Sequence, residues 1–269
     1  MSEGVFSLEQ QLAARTRDAA VRAVVLAGGK GTRLAPYTSV LPKPLMPIGD
    51  RSILELVIGQ LRDHGVNDVT LCVGYLSHLI EAVLANSRKR EGVQISYVHE
   101  EEALGTAAPL RLVDGLASTF IAMNGDVLTT LDYRDLIRHH RSEGNLLTIA
   151  TRVRPIKIDY GVLHLGTNGS SNRVHAYVEK PEMTSTVSMG IYVLEPRALA
   201  YIPADGYFDF PDLVQALLSA EERVGAYQYE GMWFDIGRQD DYERAVTAWN
   251  DETNEISDAA PPGVAAGRL

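Results

Sequence analysis

The sequence predicts an α/β fold: a mostly parallel central sheet with helices covering both faces. Two observations predict it. Apolar, strand-like runs alternate with helical patterns, the signature of βαβ units. The central runs are continuously apolar rather than alternating, as expected for strands buried on both faces. The length agrees, since 269 residues suit one large α/β domain and 45% apolar residues suffice for a core.

Taken in order, residues 1–21 read as an N-terminal extension, with a short helix over Leu8 to Ala20 and no motif. Strands are expected at Ala23–Ala27, Val69–Val73, Val93–Val98, Phe120–Met123 and Leu146–Ala150. Ser52 is an N-cap with Glu55 in the capping-box position, opening a helix that turns Leu54, Val57, Ile58 and Leu61 inward. Further helices are expected near Leu79–Leu84, Ala107–Gly115 and Asp132–His140. After residue 150 the texture changes to short strands at Gly161–Leu165, Arg173–Val178, Ser188–Leu194 and Val224–Tyr229. The domain is expected over 22–250, in two halves, 22–150 and 151–250. Residues 251–269 hold few large apolar groups and read as a flexible tail.

Charge narrows the function. The balance of 25 Lys and Arg against 35 Asp and Glu gives −10, which argues against nucleic acid as the main partner. Any phosphate pocket must then be built from a few placed cations. The single cysteine, Cys72, lies in an apolar run and reads as a buried hydrophobe rather than a nucleophile. No apolar stretch approaches the ~18 residues of a membrane span. With no secretory leader visible, a cytoplasmic protein without a membrane partner is expected.

The strongest local signal is Leu26-Ala27-Gly28-Gly29-Lys30-Gly31-Thr32-Arg33-Leu34, directly after the first strand. Its glycines allow positive φ and close backbone approach, and successive N–H groups form an anion-binding nest. Lys30 and Arg33 add charge, and Arg forks onto phosphate oxygens. The P-loop pattern is absent because Gly31 follows Lys30, and the dinucleotide G-x-G-x-x-G lacks its final glycine. Pro36, Pro42, Pro44 and Pro47 are expected to keep the next segment extended, with Lys43 held rigidly between two prolines.

Two acids carry the metal expectation. Asn124-Gly125-Asp126 ends the Phe120–Met123 strand, where ligands collect in open α/β sheets, and Mg²⁺ takes one or two carboxylates plus phosphate oxygens. Asp235, flanked by Trp233, Phe234 and Ile236, is expected on a buried strand, where a cation would relieve an unpaired charge. No Cys or His cluster has zinc spacing, and the seven His residues, with His139 and His140 on a polar helix face, read as structural or solvated.

The run Leu26 to Leu34 with Pro42-Lys43-Pro44-Leu45 resembles the signature of the sugar-1-phosphate nucleotidyltransferase family. The resemblance covers about residues 22–248. It implies a three-layer, Rossmann-like nucleotidyltransferase fold with a mostly parallel mixed sheet in a single domain. It implies that Leu26, Ala27, Gly28, Gly29, Gly31 and Thr32, with Asn124 and Gly125, hold the nucleotide. Arg33 then contacts the leaving pyrophosphate, Lys43 contacts phosphate, and Asp126 and Asp235 hold Mg²⁺. On the acceptor side, Lys180 binds the sugar's phosphate, Glu179 its hydroxyls and Gly161 its ring. Gly190 belongs to the acceptor strand. Ser188 departs from the family's usual Asn, which leaves sugar recognition open at that point. Homodimers or homotetramers are implied without a feature that selects one.

The stretch Glu100-Glu101-Glu102-Ala103-Leu104-Gly105-Thr106 follows the third strand and resembles the guanylyltransferase branch, which acts on mannose or manno-heptose 1-phosphates. Gly105 lets a base stack on backbone, and Thr106 is placed to cap the next helix. A carboxylate from Glu101 or Glu102 suits the N1–H and N2–H₂ donors of guanine, which favours GTP. Thymidylyl or uridylyl transfer on the same fold, a non-catalytic regulator that binds nucleotide or sugar phosphate, and a dinucleotide-dependent dehydrogenase are the alternatives. The loop and acid residues weigh against the regulator, and the missing glycine against the dehydrogenase.

Overall fold

A computed structural model describes residues 21–166, 173–237 and 239–258. The helix expected over Leu8 to Ala20 lies outside them. In chain order the elements begin with β1 (Arg22–Ala27), β2 (Pro47–Ile48), β3 (Arg51–Ser52), α1 (Ile53–Asp63), β4 (Asp68–Val73) and α2 (Ser77–Glu91). There follow β5 (Gln94–His99), β6 (Phe120–Asn124), β7 (Val127–Thr129), α3 (Tyr133–Glu143), β8 (Leu147–Lys157), β9 (Val162–Leu165) and β10 (Val174–Val178). The chain continues through β11 (Glu182–Leu194), α4 (Phe210–Ser219), β12 (Val224–Gln228), β13 (Trp233–Asp235) and α5 (Gln239–Asp258). That last helix runs beyond residue 250, into the stretch where the sequence predicts a tail.

Seven strands form one sheet in the order β12–β8–β11–β6–β1–β4–β5. All run the same way except β11, which is antiparallel to both β6 and β8. The side-chain alternation of a strand sorts the core into two layers. Along β1, Ala23, Val25 and Ala27 enter one cluster and Val24 the other. Along β6, Ile121 and Met123 join the first and Phe120 and Ala122 the second. Helices α1 and α3 fill the first layer through Leu54, Val57, Ile58, Leu61, Leu136 and Ile137. Helix α4 fills the second through Phe210, Leu213 and Leu217. Cys72 is fully buried there, and burial pushes its thiol up to about 12, so it is no nucleophile.

The α1 capping box forms as expected: Glu55 N–H donates to Ser52 Oγ while the Glu55 carboxylate accepts from Ser52 N–H. Three expectations give way. The segment after the glycine loop is not extended but folds into 3₁₀ turns at Thr32–Leu34, Tyr37–Ser39 and Lys43–Leu45, because the φ fixed by proline suits a 3₁₀ turn as well as an extended chain. The helix expected over Ala107–Gly115 shrinks to a 3₁₀ turn over Ala108–Leu112. The N–H groups of Ala107 and Ala108 both donate to Phe208 O, so the start of that segment is bonded to another part of the chain. His140 is not on a polar face: it is buried, with Nδ1 on Thr148 Oγ1 and Nε2 on Glu195 Oε1.

Beyond the main sheet, the outer halves of β8 and β11 continue as an exposed two-stranded ribbon, paired from Ser188↔Thr151 out to Glu182↔Lys157. The register shifts between Ser188 and Tyr192, where Gly190 takes φ +74°. Strands β9 and β10 form a separate antiparallel hairpin.

Candidate active site

The carboxyl ends of β1, β5 and β6 open onto one cleft of about 400 Å³. One side of it is the glycine loop. Leu26, Ala27, Gly28, Gly29, Gly31 and Arg33 line it, and Thr32, which points outward, does not. Gly31 takes φ +61°, and a Cβ there would meet Lys43 Cβ at 3.1 Å, so the loop turns tightly over Lys43. The Lys43 side chain is nearly buried and pairs with Asp126 Oδ2.

Asp126 follows β6 by two residues. The intervening Gly125 donates its N–H to Leu26 O at 2.9 Å, and a Cβ there would stand 3.0 Å from that carbonyl, tighter than an ordinary contact. Asp235 arrives from the far end of the sequence. β13 pairs antiparallel with β7 so that Asp235 faces Val127, and Ile236 N–H donates to Asp126 O at 3.2 Å. The two acids are therefore neighbours across a short sheet. Asp235 is not buried on its strand as expected: it opens onto the cleft. Desolvation, and next the Asp126 charge, raise its carboxyl above the ordinary range, while Lys43 and Arg33 oppose the rise.

The chemistry of this pair fits a divalent cation. Asp126 Oδ1 is a buried oxygen without a hydrogen-bond partner, and two carboxylates side by side repel unless a cation sits between them. Two acids with phosphate oxygens are the usual Mg²⁺ set.

The base side differs from the expected one. Glu101 and Glu102 are exposed and do not line the cleft. Glu100 does. It sits at the end of β5, where its N–H donates to Val73 O, and its carboxylate accepts from Leu104 N–H at 3.4 Å. A Cβ on Gly28 would fall 2.4 Å from Glu100 Oε1, so the glycine makes room for that carboxylate. Desolvation raises the Glu100 carboxyl, opposed by the Leu104 hydrogen bond. Three adjacent acids gave no signal for which one turns inward; only the end of β5 selects it.

Gly105 and Thr106 line the cleft as expected, but Thr106 does not cap the turn that follows it. Its N–H and hydroxyl donate to Asp209 Oδ1 at 2.8 and 2.9 Å, and its Oγ1 accepts from Phe210 N–H at the start of α4. Asp209 and Tyr207 also line the cleft and went unread in the sequence, while Ala103 and Pro44, read there only within longer runs, line it too. The Asp209…Asp212 capping box before an apolar run was a usable signal for the first. Burial works against the charged Asp209, but the bonds from Tyr207 and Thr106 outweigh it and hold its carboxyl below the ordinary range.

The acceptor-side residues are not gathered into this cleft. Gly161, Glu179, Lys180, Ser188 and Gly190 do not line it. Tyr177 hydroxyl donates to Glu179, and the Tyr177 ring lies where a Gly161 side chain would stand, so these three form one cluster. Lys180 is exposed beside it, with φ +45°. Gly190 and Ser188 lie nearer the cleft. A Cβ on Gly190 would meet cleft-lining Asn124 Nδ2 at 2.6 Å, and Ser188 Oγ accepts from Gly190 N–H.

The sequence profile of the nucleotidyl transferase family matches residues 22–252. The chain belongs to that family. This nucleotidyl transferase is 31% identical over 264 residues to a UTP–glucose-1-phosphate uridylyltransferase of Synechocystis sp., covering 91% of the chain and 66% of the relative. It is also 31% identical to the mannose-1-phosphate guanylyltransferase catalytic subunit beta of Danio rerio, covering 92% and 69%. The chain thus spans about two thirds of the length of these curated relatives. Among solved structures it resembles HddC from Yersinia pseudotuberculosis, at TM-score 0.65 and 25% identity over 85% of this chain and 99% of that one. A putative glucose-1-phosphate thymidylyltransferase from Bacillus anthracis shares the fold at TM-score 0.68 and 21% identity, covering 86% and 96%. No helix among the described residues of this nucleotidyl transferase is long and apolar enough to cross a membrane.

Proposed function

We propose that the protein transfers a nucleoside monophosphate, GMP from GTP, to a sugar 1-phosphate and releases pyrophosphate. The observation that carries this reading is the unpartnered Asp126 Oδ1 beside Asp235, in one cleft with Arg33 of the glycine loop and the nearly buried Lys43 beneath it. Asp126 and Asp235 would hold Mg²⁺, which when bound offsets charge on the triphosphate. An oxygen of the sugar phosphate attacks the α-phosphorus, and the bond to the bridging oxygen of pyrophosphate breaks. That nucleophile is already an anion near neutral pH, so the chain has no proton to remove.

The protein's task is to position two polyanions and offset their charge. The glycine loop presents backbone N–H groups, Arg33 takes the leaving pyrophosphate and Lys43 a phosphate oxygen. Lys180 and Glu179, on the outer cluster with Tyr177 and Gly161, hold the acceptor. Ser188 and Gly190 line its approach. Glu100 replaces Glu101 and Glu102 as the base-reading carboxylate, because it alone of the three lines the cleft. Its two oxygens accept from N1–H and N2–H₂ of guanine.

The deciding experiment measures pyrophosphate release with Mg²⁺, each of GTP, UTP, dTTP, CTP and ATP, and a panel of sugar 1-phosphates. Release with GTP and a mannose-type acceptor is expected. Release with UTP or dTTP alone would discard the guanine reading. No release with any pair would overturn the transferase reading. A cytoplasmic enzyme, as a homodimer or homotetramer, completes the proposal; light scattering reads the assembly.

A further inference from the structure

One wall of the cleft is used by none of the groups assigned above. Its outermost residue is Tyr207, which is 63% exposed although the backbone on both sides of it is fixed. On one side, the Arg111 guanidinium donates to Pro203 O at 2.6 Å and Gly206 O at 3.1 Å. On the other, Phe208 N–H donates to Leu104 O at 2.9 Å, and Phe208 O accepts from Ala107 and Ala108 N–H. The ring itself is tethered, its hydroxyl donating to Asp209 Oδ2 at 2.7 Å.

The helix cap does not account for this tether. Asp209 caps α4 with Asp212, which accepts from Asp209 N–H at 3.0 Å, and that box needs nothing from Tyr207. Nor does core packing account for it, since the ring faces water over the cleft. A carboxylate is acceptor-only, with about four lone-pair sites. Thr106 N–H, the Thr106 hydroxyl and the Tyr207 hydroxyl take three of them, and the capping box gives the fourth to Asp212 N–H. Its charge repels phosphate, so the ligand portion that meets this wall is uncharged. An aromatic face held open to the cleft by a carboxylate suits an uncharged sugar ring, whose C–H face packs on the tyrosine.

We propose that Tyr207, held by Asp209, is a specificity-determining residue that packs against a sugar ring of a substrate, and that this inference rests on the transferase reading above. The ring is either the acceptor's sugar or the ribose of the nucleotide; their chemistry at this wall is shared.

The test uses the full chain with Tyr207→Ala, which removes the ring, and Tyr207→Phe, which keeps the ring and loses the tether. The KM values for GTP, for the sugar 1-phosphate and, in the reverse direction, for pyrophosphate are measured. Calorimetry of GMP and of hexose 1-phosphate runs in parallel. Tyr207→Ala is expected to raise one sugar-bearing KM about 3- to 10-fold, with the loss falling on KM rather than kcat, and Tyr207→Phe to lie between. The pyrophosphate KM, which involves no sugar, is expected to hold. A rise for GTP with weaker GMP binding assigns the ribose; a rise for the acceptor alone assigns its sugar. Unchanged KM values for both, or a pyrophosphate KM that rises in step, would overturn the proposal. If wild type turns over no pair, the transferase reading fails by itself, and calorimetry still decides: equal binding to wild type and Tyr207→Ala, or no binding to either, rejects Tyr207.

Discussion

The Lys43 ammonium is paired with Asp126 Oδ2, while Oδ1 of the same carboxylate is buried and has no partner. One carboxylate thus faces a fixed cation on one oxygen and open demand for a cation on the other. Asp126→Asn is expected to weaken the Mg²⁺ dependence together with the rate. A metal titration of turnover reads it, and an unchanged midpoint would remove Asp126 from the metal site.

Arg33 lines the cleft and lies close enough to influence Asp235, while Lys180 stands on the outer cluster. In the proposed reaction both offset charge where two polyanions meet. Arg33→Ala and Lys180→Ala are each expected to lower turnover about 10²–10³-fold. Steady-state kinetics on folded variants checks this, and a wild-type rate in either excludes that residue from the scheme.

Glu100→Gln exchanges an oxygen acceptor for an amide donor against the guanine N1–H and N2–H₂ edge. Such a bidentate contact is worth about 1–3 kcal/mol, roughly 10- to 100-fold in discrimination. The expected result is a loss of that size in the GTP-over-UTP ratio of kcat/KM. The same change at Glu101 or Glu102, which are exposed outside the cleft, is expected to leave the ratio within threefold.

Gly105 takes φ +91°, and a Cβ there would stand 2.7 Å from Phe208 O. Gly105→Ala therefore meets both an unfavourable backbone and a fixed carbonyl. A cost of about 1–3 kcal/mol is expected, with a raised KM for the nucleotide. Thermal melts and kinetics read the two effects separately.

Asp132 caps α3, accepting from Arg134 N–H at 2.8 Å. The Arg134 side chain is the main cause that lowers its carboxyl to about 2, against desolvation. A depressed folded-state value means that the stabilisation is complete above the ordinary range near 3.8 and is lost as pH falls toward about 2. Asp132→Ala is expected to cost about 1 kcal/mol at pH 7. Its Tm deficit is expected to shrink between pH 4 and pH 2; a deficit constant over that range would refute the charged cap.

What the sequence determined by itself was local chemistry. Continuous apolar runs marked the buried strands, Ser52 with Glu55 marked the start of α1, and the glycine run with Arg33 and Lys43 marked residues that line the cleft. The physical reason is that strand burial, caps and glycine turns depend on neighbours a few residues away. The tertiary structure alone decided which side chains meet. Asp235 joins Asp126 only because β13 pairs with β7, an arrangement no local pattern encodes. Glu100 faces inward rather than Glu101 or Glu102 because β5 ends there and Gly28, far away in sequence, leaves the space. Thr106 caps α4 instead of the turn that follows it because Asp209 is brought to its hydroxyl by the second core layer. Contacts between distant segments are set by packing and pairing of whole elements, and so Tyr207, tethered to Asp209 next to a Gly206 carbonyl that Arg111 holds, became visible only in the fold.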